Sequence, residues 1–484
     1  MVKKKVIKSI VFLLSLTLLT VCFHTVFCFK YGDGIYPLKN FYREPKNSID
    51  VMCFGSSHVF ENINTGTLWD EYGIASFDLC GSVQPLWNTY YYMKEALKYQ
   101  TPRVMVLDVY RVLEENDFTD SSRIIKNTYG LKLSKDKINA IKISAPKEEW
   151  LNYLLEYPTY HSRYTDITSA DFLPYLGAAN RKYWKGFGIN TGRTELERPD
   201  GLNHITERME LSDKTREYLE KIIALSKSSD IPLLLIVAPY QANESDQKKY
   251  NEVARIAEAN NIPFINYNLL YDEIGLDFSS DFADNNHLNH IGNIKFTKYL
   301  AQYLKSNYEI PDRRGNASYQ SYDIMSEDCR QRIYNVGVRA VGDIGTYLQK
   351  LQNKHYLVIY ALTGNYKAQE NYADVKNQLL KYGINPDSAE GNAVWIVQDQ
   401  ELLYTSCNEK VYIWHKDVGI NDTLAVRSES EESAPVINLN RTEYMIKNSG
   451  INICVYDTFL GTLVETACFP VGSGGISYQK TKNL

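Results

Sequence analysis

Asp50-Val-Met-Cys-Phe-Gly-Ser-Ser-His58 is the stretch that decides the fold. Val51 to Phe54 are apolar on both alternations, which predicts a strand buried on both faces. Gly55 then allows a sharp turn, and Ser56-Ser57 sit where a helix would begin. Taken alone, the pair reads either as an N-cap or as a hydroxyl presented at the carboxyl end of a strand. Working outward, the pattern repeats. Further strands are expected at 75–79, 104–109, 231–238 and 264–267, and helices at 84–99, 211–226, 248–260 and 291–304. Strand-helix alternation with continuous apolar strands predicts an α/β fold: a parallel sheet with helices on both faces. In such sheets ligands bind beyond the carboxyl ends of the strands.

The chain has 484 residues, 44% hydrophobic and 23% charged, with a net charge of -5. That length accommodates two or three domains. The charge gives no footprint for nucleic acid. Tyrosine is abundant, at 38 copies; its faces suit sugar rings, although a biased genome composition would produce the same count.

Lys3, Lys4, Lys5 and Lys8 precede an apolar run at 9–29. This is long enough to span a bilayer, and the lysines place the N-terminus in the cytoplasm. No Ala-x-Ala site follows, so residues 1–30 are expected to be an uncleaved anchor, with cleavage or lipidation at Cys22 as the alternatives. The bulk of the chain would then be extracytoplasmic. Residues 31–310 form the expected first domain, 311–325 a polar linker, and 326–484 a separate α+β accessory domain. An extracytoplasmic location permits disulfides among Cys329, Cys407, Cys454 and Cys468. No Cys or His cluster has metal-ligand spacing, and no cofactor is expected.

A helical insertion occupies 111–206, far longer than an ordinary connection. It contains Tyr157-Pro-Thr-Tyr-His-Ser-Arg-Tyr164 and Tyr183-Trp-Lys-Gly186, with helices expected around 135–157. Its position at the strand ends suits either a lid or substrate platform or a packed excursion remote from substrate.

The second informative segment is Asp284-Asn-Asn-His-Leu-Asn289. It supplies a base, His287, and an orienting acid, Asp284, for a serine nucleophile that needs both. Ser57 is the preferred nucleophile and Ser56 the runner-up. His290 and His58 are the competing histidines, and a satisfied loop histidine is the simpler reading for His58.

Phe54-Gly-Ser-Ser57 together with Asp284-x-x-His287-Leu-Asn resembles the SGNH/GDSL hydrolase superfamily over residues 48–307. More narrowly, it is similar to membrane-anchored members found with polysaccharide O-acetylation and teichoic-acid D-alanylation systems. The resemblance implies a flavodoxin-like sheet, a Ser57-His287-Asp284 triad, and an oxyanion hole that includes Ser57 and Gly81. The family pattern carries Asp before the nucleophile, where Ser56 stands here. Its Gly-x-Asn block is missing: Val106-Leu-Asp-Val-Tyr-Arg111 has no asparagine, and an ionised Asp108 would repel an oxyanion. Tyr110 or Arg111 could donate instead, and Ser56, Asp108, Tyr110, Arg111, His161 and Arg163 are candidate substrate contacts. Asn448-Ser-Gly-Ile-Asn-Ile-Cys-Val-Tyr-Asp457 resembles the interleukin-like EMT inducer (ILEI/PANDER) fold, which fits either a glycan-binding or a purely structural module.

The leading expectation is a membrane-anchored esterase or O-acyltransferase acting on a cell-surface polysaccharide, possible partner to a multipass membrane acyltransferase. The alternative is a non-catalytic surface protein that binds glycan on the same scaffold.

Overall fold

The computed structural model describes residues 2–29, 33–168, 171–172, 184–368, 372–407, 412–418, 422–428, 435–440, 442–444, 449–470 and 479–480. The chain divides into two compact units, Met1–Cys329 and Arg330–Leu484.

Unit 1 opens with α1 (Val2–Phe27) and α2 (Ile35–Phe41). Five parallel strands follow: β1 (Val51–Phe54), β2 (Ser76–Asp78), β3 (Val104–Asp108), β4 (Leu233–Val237) and β5 (Phe264–Asn266). Their order across the sheet is β2-β1-β3-β4-β5, the flavodoxin-like order. Every residue of β1 to β4 is buried, as continuous apolar runs require.

The helices are α3 (Ser57–Asn62), α4 (Thr65–Tyr72), α5 (Leu86–Ala96), α6 (Ser121–Thr128), α7 (Lys135–Ser144), α8 (Trp150–Leu155) and α9 (Tyr157–Tyr160). After them come α10 (Asp213–Ser229), α11 (Glu244–Ala259), α12 (Tyr271–Ile274) and α13 (Gly292–Asn307). β1 connects leftward to β2 and β2 rightward to β3, so right-handed crossovers put α3 and α4 on one face and α5 on the other. α13 packs with α3 and α4, and α10 with α5. Ser57, Gly81 and the 284–289 loop all lie at one edge of the sheet as a result.

The end of β1 is unusually crowded. Gly55 has φ +154°, and a Cβ there would lie 2.7 Å from Val59 Cγ2 and 3.1 Å from Asp108 Cβ. Only glycine fits this approach without displacing β3.

The insertion returns to the sheet at Lys185. This ammonium is fully buried, 2.8 Å from Glu44 Oε1, and also donates to Ser321 Oγ at 2.9 Å. Tyr183 lies outside the described residues. Most of the tyrosines with known surroundings here are packing material: Tyr92, Tyr250, Tyr267 and Tyr322 are among the largest fully buried side chains of the unit.

Residues 311–325 are not a free linker. Arg313 makes a bidentate pair with Asp50, at 2.8 Å on both arms. Tyr319, Tyr322 and Met325 pack on Trp69 and Ala75. Their spacing of three is a helical face hidden in a polar composition, and α14 (Gln320–Arg339) runs through it.

Unit 2 continues with α15 (Ile344–Lys350), β6 (Tyr356–Thr363), α16 (Tyr372–Leu380), β7 (Ala393–Gln398), β8 (Glu401–Cys407), β9 (Tyr412–Val418), β10 (Asp422–Ser428), β11 (Val436–Leu439), β12 (Thr442–Glu443), β13 (Gly450–Asp457), β14 (Thr462–Pro470) and β15 (Gln479–Lys480). A six-stranded sheet, β15-β14-β13-β6-β7-β8, and a four-stranded one, β12-β11-β10-β9, are antiparallel throughout. β6 serves two cores by alternation: Leu357, Ile359 and Ala361 face one, Val358, Tyr360 and Leu362 the other. No disulfide joins any of the eight cysteines, although an extracytoplasmic location would permit one. Cys454 and Cys468 lie on adjacent strands but out of register: Cys468 stands opposite Asn452, and Cys454 opposite Thr466.

Gly55→Ala is expected to destabilise unit 1 by about 1–3 kcal/mol through backbone strain and displacement of Asp108. A lower urea midpoint at unchanged slope would register it.

Candidate active site

Ser57 is the first residue of α3, with Ser56 as the N-cap. Its N–H lies in the first turn, where no intrahelical acceptor exists. His287 Nε2 stands 2.8 Å from Ser57 Oγ. Its Nδ1 is 2.9 Å from Asp284 Oδ1 and 3.1 Å from Oδ2. A carboxylate can only accept, so the Nδ1 proton belongs to the imidazole and Nε2 is left to accept from the serine hydroxyl. Ser57 and His287, 230 residues apart in sequence, thus form one hydrogen-bonded run with Asp284, three residues before His287.

The loop that carries His287 is held from several sides. Asp284 Oδ1 accepts the N–H groups of Asn286 and His287 at 2.8 and 3.0 Å. Leu288 N–H donates to Asn62 Oδ1 at 2.9 Å, tying the loop to the helix that starts at Ser57. Asn289 Oδ1 accepts from Ile291 and Gly292 N–H, which turns the chain into α13.

Two contributors escaped the sequence reading. Glu61 Oε2 lies 4.0 Å from His287 Nδ1 and accepts from Asn190 Nδ2 at 2.6 Å. Glu61 stands four residues after Ser57, one helical turn, and that spacing was the available signal. Asn190 belongs to a strap formed by the returning end of the insertion. Gly188 N–H donates to Phe60 O at 2.7 Å, His290 N–H to Asn190 O at 2.8 Å, and Thr194 N–H to Phe282 O at 2.9 Å. The strap therefore grips the Ser57 helix and the His287 loop together.

Gly81 follows β2 under tight constraint. A Cβ there would meet Asn127 Oδ1 at 2.2 Å and Gly34 Cα at 3.1 Å. Asn127 donates to Ser82 O at 3.2 Å. Val83, two residues on, holds φ +50°, which a β-branched residue rarely adopts and which occurs preferentially at functional sites.

Several expected substrate contacts are placed elsewhere. Asp108 is fully buried and its oxygens accept Tyr110 N–H at 3.0 Å and Ala238 N–H at 2.8 Å. Burial pushes its carboxyl up to about 7, with the two N–H donors opposing. It is a scaffold acid linking β3 to β4. Ser56 is buried, with no side-chain partner among the described residues. Arg111 pairs with Glu114. Arg163 donates to Phe27 O and Cys28 O at 2.8 and 2.6 Å, capping α1 rather than reaching Ser57. The His161 side chain lies outside the described residues. Tyr110 stays near the site: its OH donates to Asn286 Oδ1 at 3.3 Å, and its ring stacks on His58 at 3.6 Å.

His58 is not a satisfied loop histidine. It is fully buried, neither ring nitrogen has a hydrogen-bond partner among the described residues, and its ring centroid is 5.4 Å from that of His287. Among the described residues no cluster of His, Cys, Asp and Glu could hold a metal ion.

The structure is similar to solved proteins of one broad kind. One is assigned as a lipolytic protein of the G-D-S-L family from Desulfitobacterium hafniense, 11% identical, covering 53% of this chain and 99% of its own, with a TM-score of 0.27. Another, assigned as an acylhydrolase from Bacteroides fragilis, is 12% identical and covers 56% of this chain and 94% of its own, with a TM-score of 0.29. No protein-family model matches the chain, and no curated protein sequence is significantly similar to it. Neither likeness decides the chemistry, which has to be argued from the side chains.

Burial, followed by the nearby His287 and Arg111, holds the His58 imidazole well below its ordinary 6.5. The unfolded chain binds a proton there that the folded chain refuses, so this contribution to stability is full above pH 6.5 and is lost as pH falls below it. His58→Phe, which keeps the stack on Tyr110, is expected to flatten that loss, approaching about 1.4 kcal/mol per pH unit. Urea midpoints of both proteins at pH 7 and pH 5 measure the difference; parallel slopes would clear His58 of the role.

Proposed function

We propose that this chain is a membrane-anchored, extracytoplasmic serine esterase or O-acyltransferase of SGNH/GDSL type that acts on a cell-surface polysaccharide. The observation that carries the reading is the Asp284–His287–Ser57 run at the carboxyl edge of a parallel sheet.

In the proposed reaction His287 Nε2 takes the Ser57 proton as Oγ attacks the carbonyl carbon of an acyl ester. The tetrahedral oxyanion forms against the N–H groups of Ser57 and Gly81. The intermediate collapses to acyl-Ser57, and the leaving alkoxide takes the proton back from the His287 imidazolium. Asp284 stabilises that imidazolium and fixes the ring, with Glu61 as a second carboxylate behind it. A sugar hydroxyl or a water, deprotonated by His287, then attacks the acyl carbonyl, and the departing Ser57 Oγ takes that proton back from the imidazolium. Transfer and hydrolysis share the first half and differ in the acceptor. The asparagine donor absent after β3 is worth about 10²–10³ in rate where it is present, which favours a modest rather than a fast hydrolase.

The anchor reading rests on α1. The most apolar window of Lys4–Phe27 has a mean hydropathy of 2.3 and contains no buried residue, as suits a bilayer-facing helix. The polysaccharide substrate and a partner multipass acyltransferase rest on the family resemblance alone.

A fluorophosphonate probe is expected to label the wild type and Ser56→Ala, and to leave Ser57→Ala unlabelled. Ser57→Ala should lower ester turnover by about 10⁴-fold or more. If all three proteins resist the probe and release no acetate from a model ester, the glycan-binding scaffold becomes the better reading.

A further inference from the structure

The insertion has an outgoing half that the catalytic proposal does not use. α8 and the residues after it expose large apolar side chains: Leu151 is 68% exposed, Leu155 65%, Tyr157 53%, Tyr164 71% and Phe172 46%. A soluble unit seldom gathers such residues on one short segment without a use for them.

These residues lie beside the end of α1. Leu155, Tyr157, Tyr160, Ile167 and Phe172 line one open apolar groove with the Leu19–Phe27 stretch. The Phe23 and Tyr157 rings are 5.6 Å apart. Polar contacts of two side chains fix the arrangement: His24 Nδ1 is 2.8 Å from Tyr160 OH, and Arg163 donates to Phe27 O and Cys28 O at the end of α1 while its Nη2 reaches Asp171 at 3.0 Å.

Helix geometry then sets the depth. At about 1.5 Å per residue, roughly 20 residues cross a hydrocarbon core of about 30 Å. With Lys4, Lys5 and Lys8 at the cytoplasmic interface, residues 19–27 occupy the outer half of the bilayer. Whatever packs alongside them lies in the outer leaflet as well. The tyrosines and Arg163 on this segment are the side chains that favour a membrane interface.

We infer that the outgoing half of the insertion, residues 150–168 with 171–172, is seated in the outer leaflet beside α1, its partner being the lipid of the bilayer itself. This rests on α1 remaining as a membrane span, as proposed above. One consequence concerns the active edge. Gly34 is seven residues beyond Phe27, so it lies within about 25 Å of the helix end, and a Cβ on Gly34 would stand 3.6 Å from Gly81 Cα. The sheet edge that carries Gly81 is thereby held near the membrane surface, within reach of an acyl group borne by a membrane-embedded molecule.

The full-length chain, reconstituted in phosphatidylcholine–phosphatidylglycerol vesicles that carry a phospholipid with a diazirine on its acyl chain, provides the test. After irradiation, mass spectrometry is expected to find lipid adducts on α1 and on 151–172, and none on Leu133, an exposed leucine of the same insertion. A Leu151→Glu, Leu155→Glu variant should lose about fivefold or more of the 151–172 adducts and keep those on α1. Adducts on α1 alone would overturn the seating and leave the anchor standing, and would point to a protein occupant of the groove. Adducts on neither segment would overturn the anchor and the seating together.

Discussion

The close approach of β1 to β3 at Gly55 is the constraint on which the rest of unit 1 depends. With no side chain at Gly55, Asp108 comes up against the turn, and its carboxylate is free to take the N–H groups of Tyr110 and Ala238. Three strand ends are thereby fixed at one edge, and the chain leaving Gly55 has only one course, into α3. Ser57 is the first residue on that course. Asp108 resolves the conflict that its presence raised in the sequence. A buried acid pushed up to about 7 and bound to two backbone donors carries far less charge toward the site than a solvated carboxylate would.

From Ser57 the order spreads through α3 rather than through the histidine alone. Asp284 is half-exposed, and an isolated pair of that kind orders little. What fixes the geometry is backbone: the N–H groups of Asn286 and His287 on Asp284, Leu288 N–H on Asn62, and the strap that binds Phe60 and Phe282 at once. Helix α3 thus carries the nucleophile at its first residue, a second carboxylate one turn later, and the anchor of the base's loop at its last residue. A substitution anywhere along it would be felt at Ser57.

The sheet was legible in the sequence because strands buried on both faces leave uninterrupted apolar runs, as at 51–54 and 231–238. Ser57, His287 and Asp284 were legible as a set because acyl transfer needs those three types in those roles. The strap at 188–196 left no such trace: its bonds are made by main-chain groups, to which composition and periodicity are blind. The helix through 320–339 was hidden by its polar neighbours, and three spaced apolar residues proved more informative than the prolines and glycines before them. Arg163 was read as a substrate contact from its place at the active edge, whereas the carbonyls at the end of α1 claim its guanidinium.

The insertion itself explains why no single reading suited it. Its outgoing half presents Leu151, Leu155 and Tyr157 to the outside, while its return half is spent on hydrogen bonds through Gly188, Asn190 and Thr194. An apolar exposed face and a polar, backbone-bonded strap obey opposite rules of composition, and averaging over 111–206 cancels both signals. The chain enters this excursion from β3 beside Asp108 and is pinned again before the strap at Lys185, whose ammonium is locked on Glu44. With those two points fixed, the two halves can differ in character without loosening the site. The strap is packed on the Ser57 helix, and the apolar half lies against the end of α1.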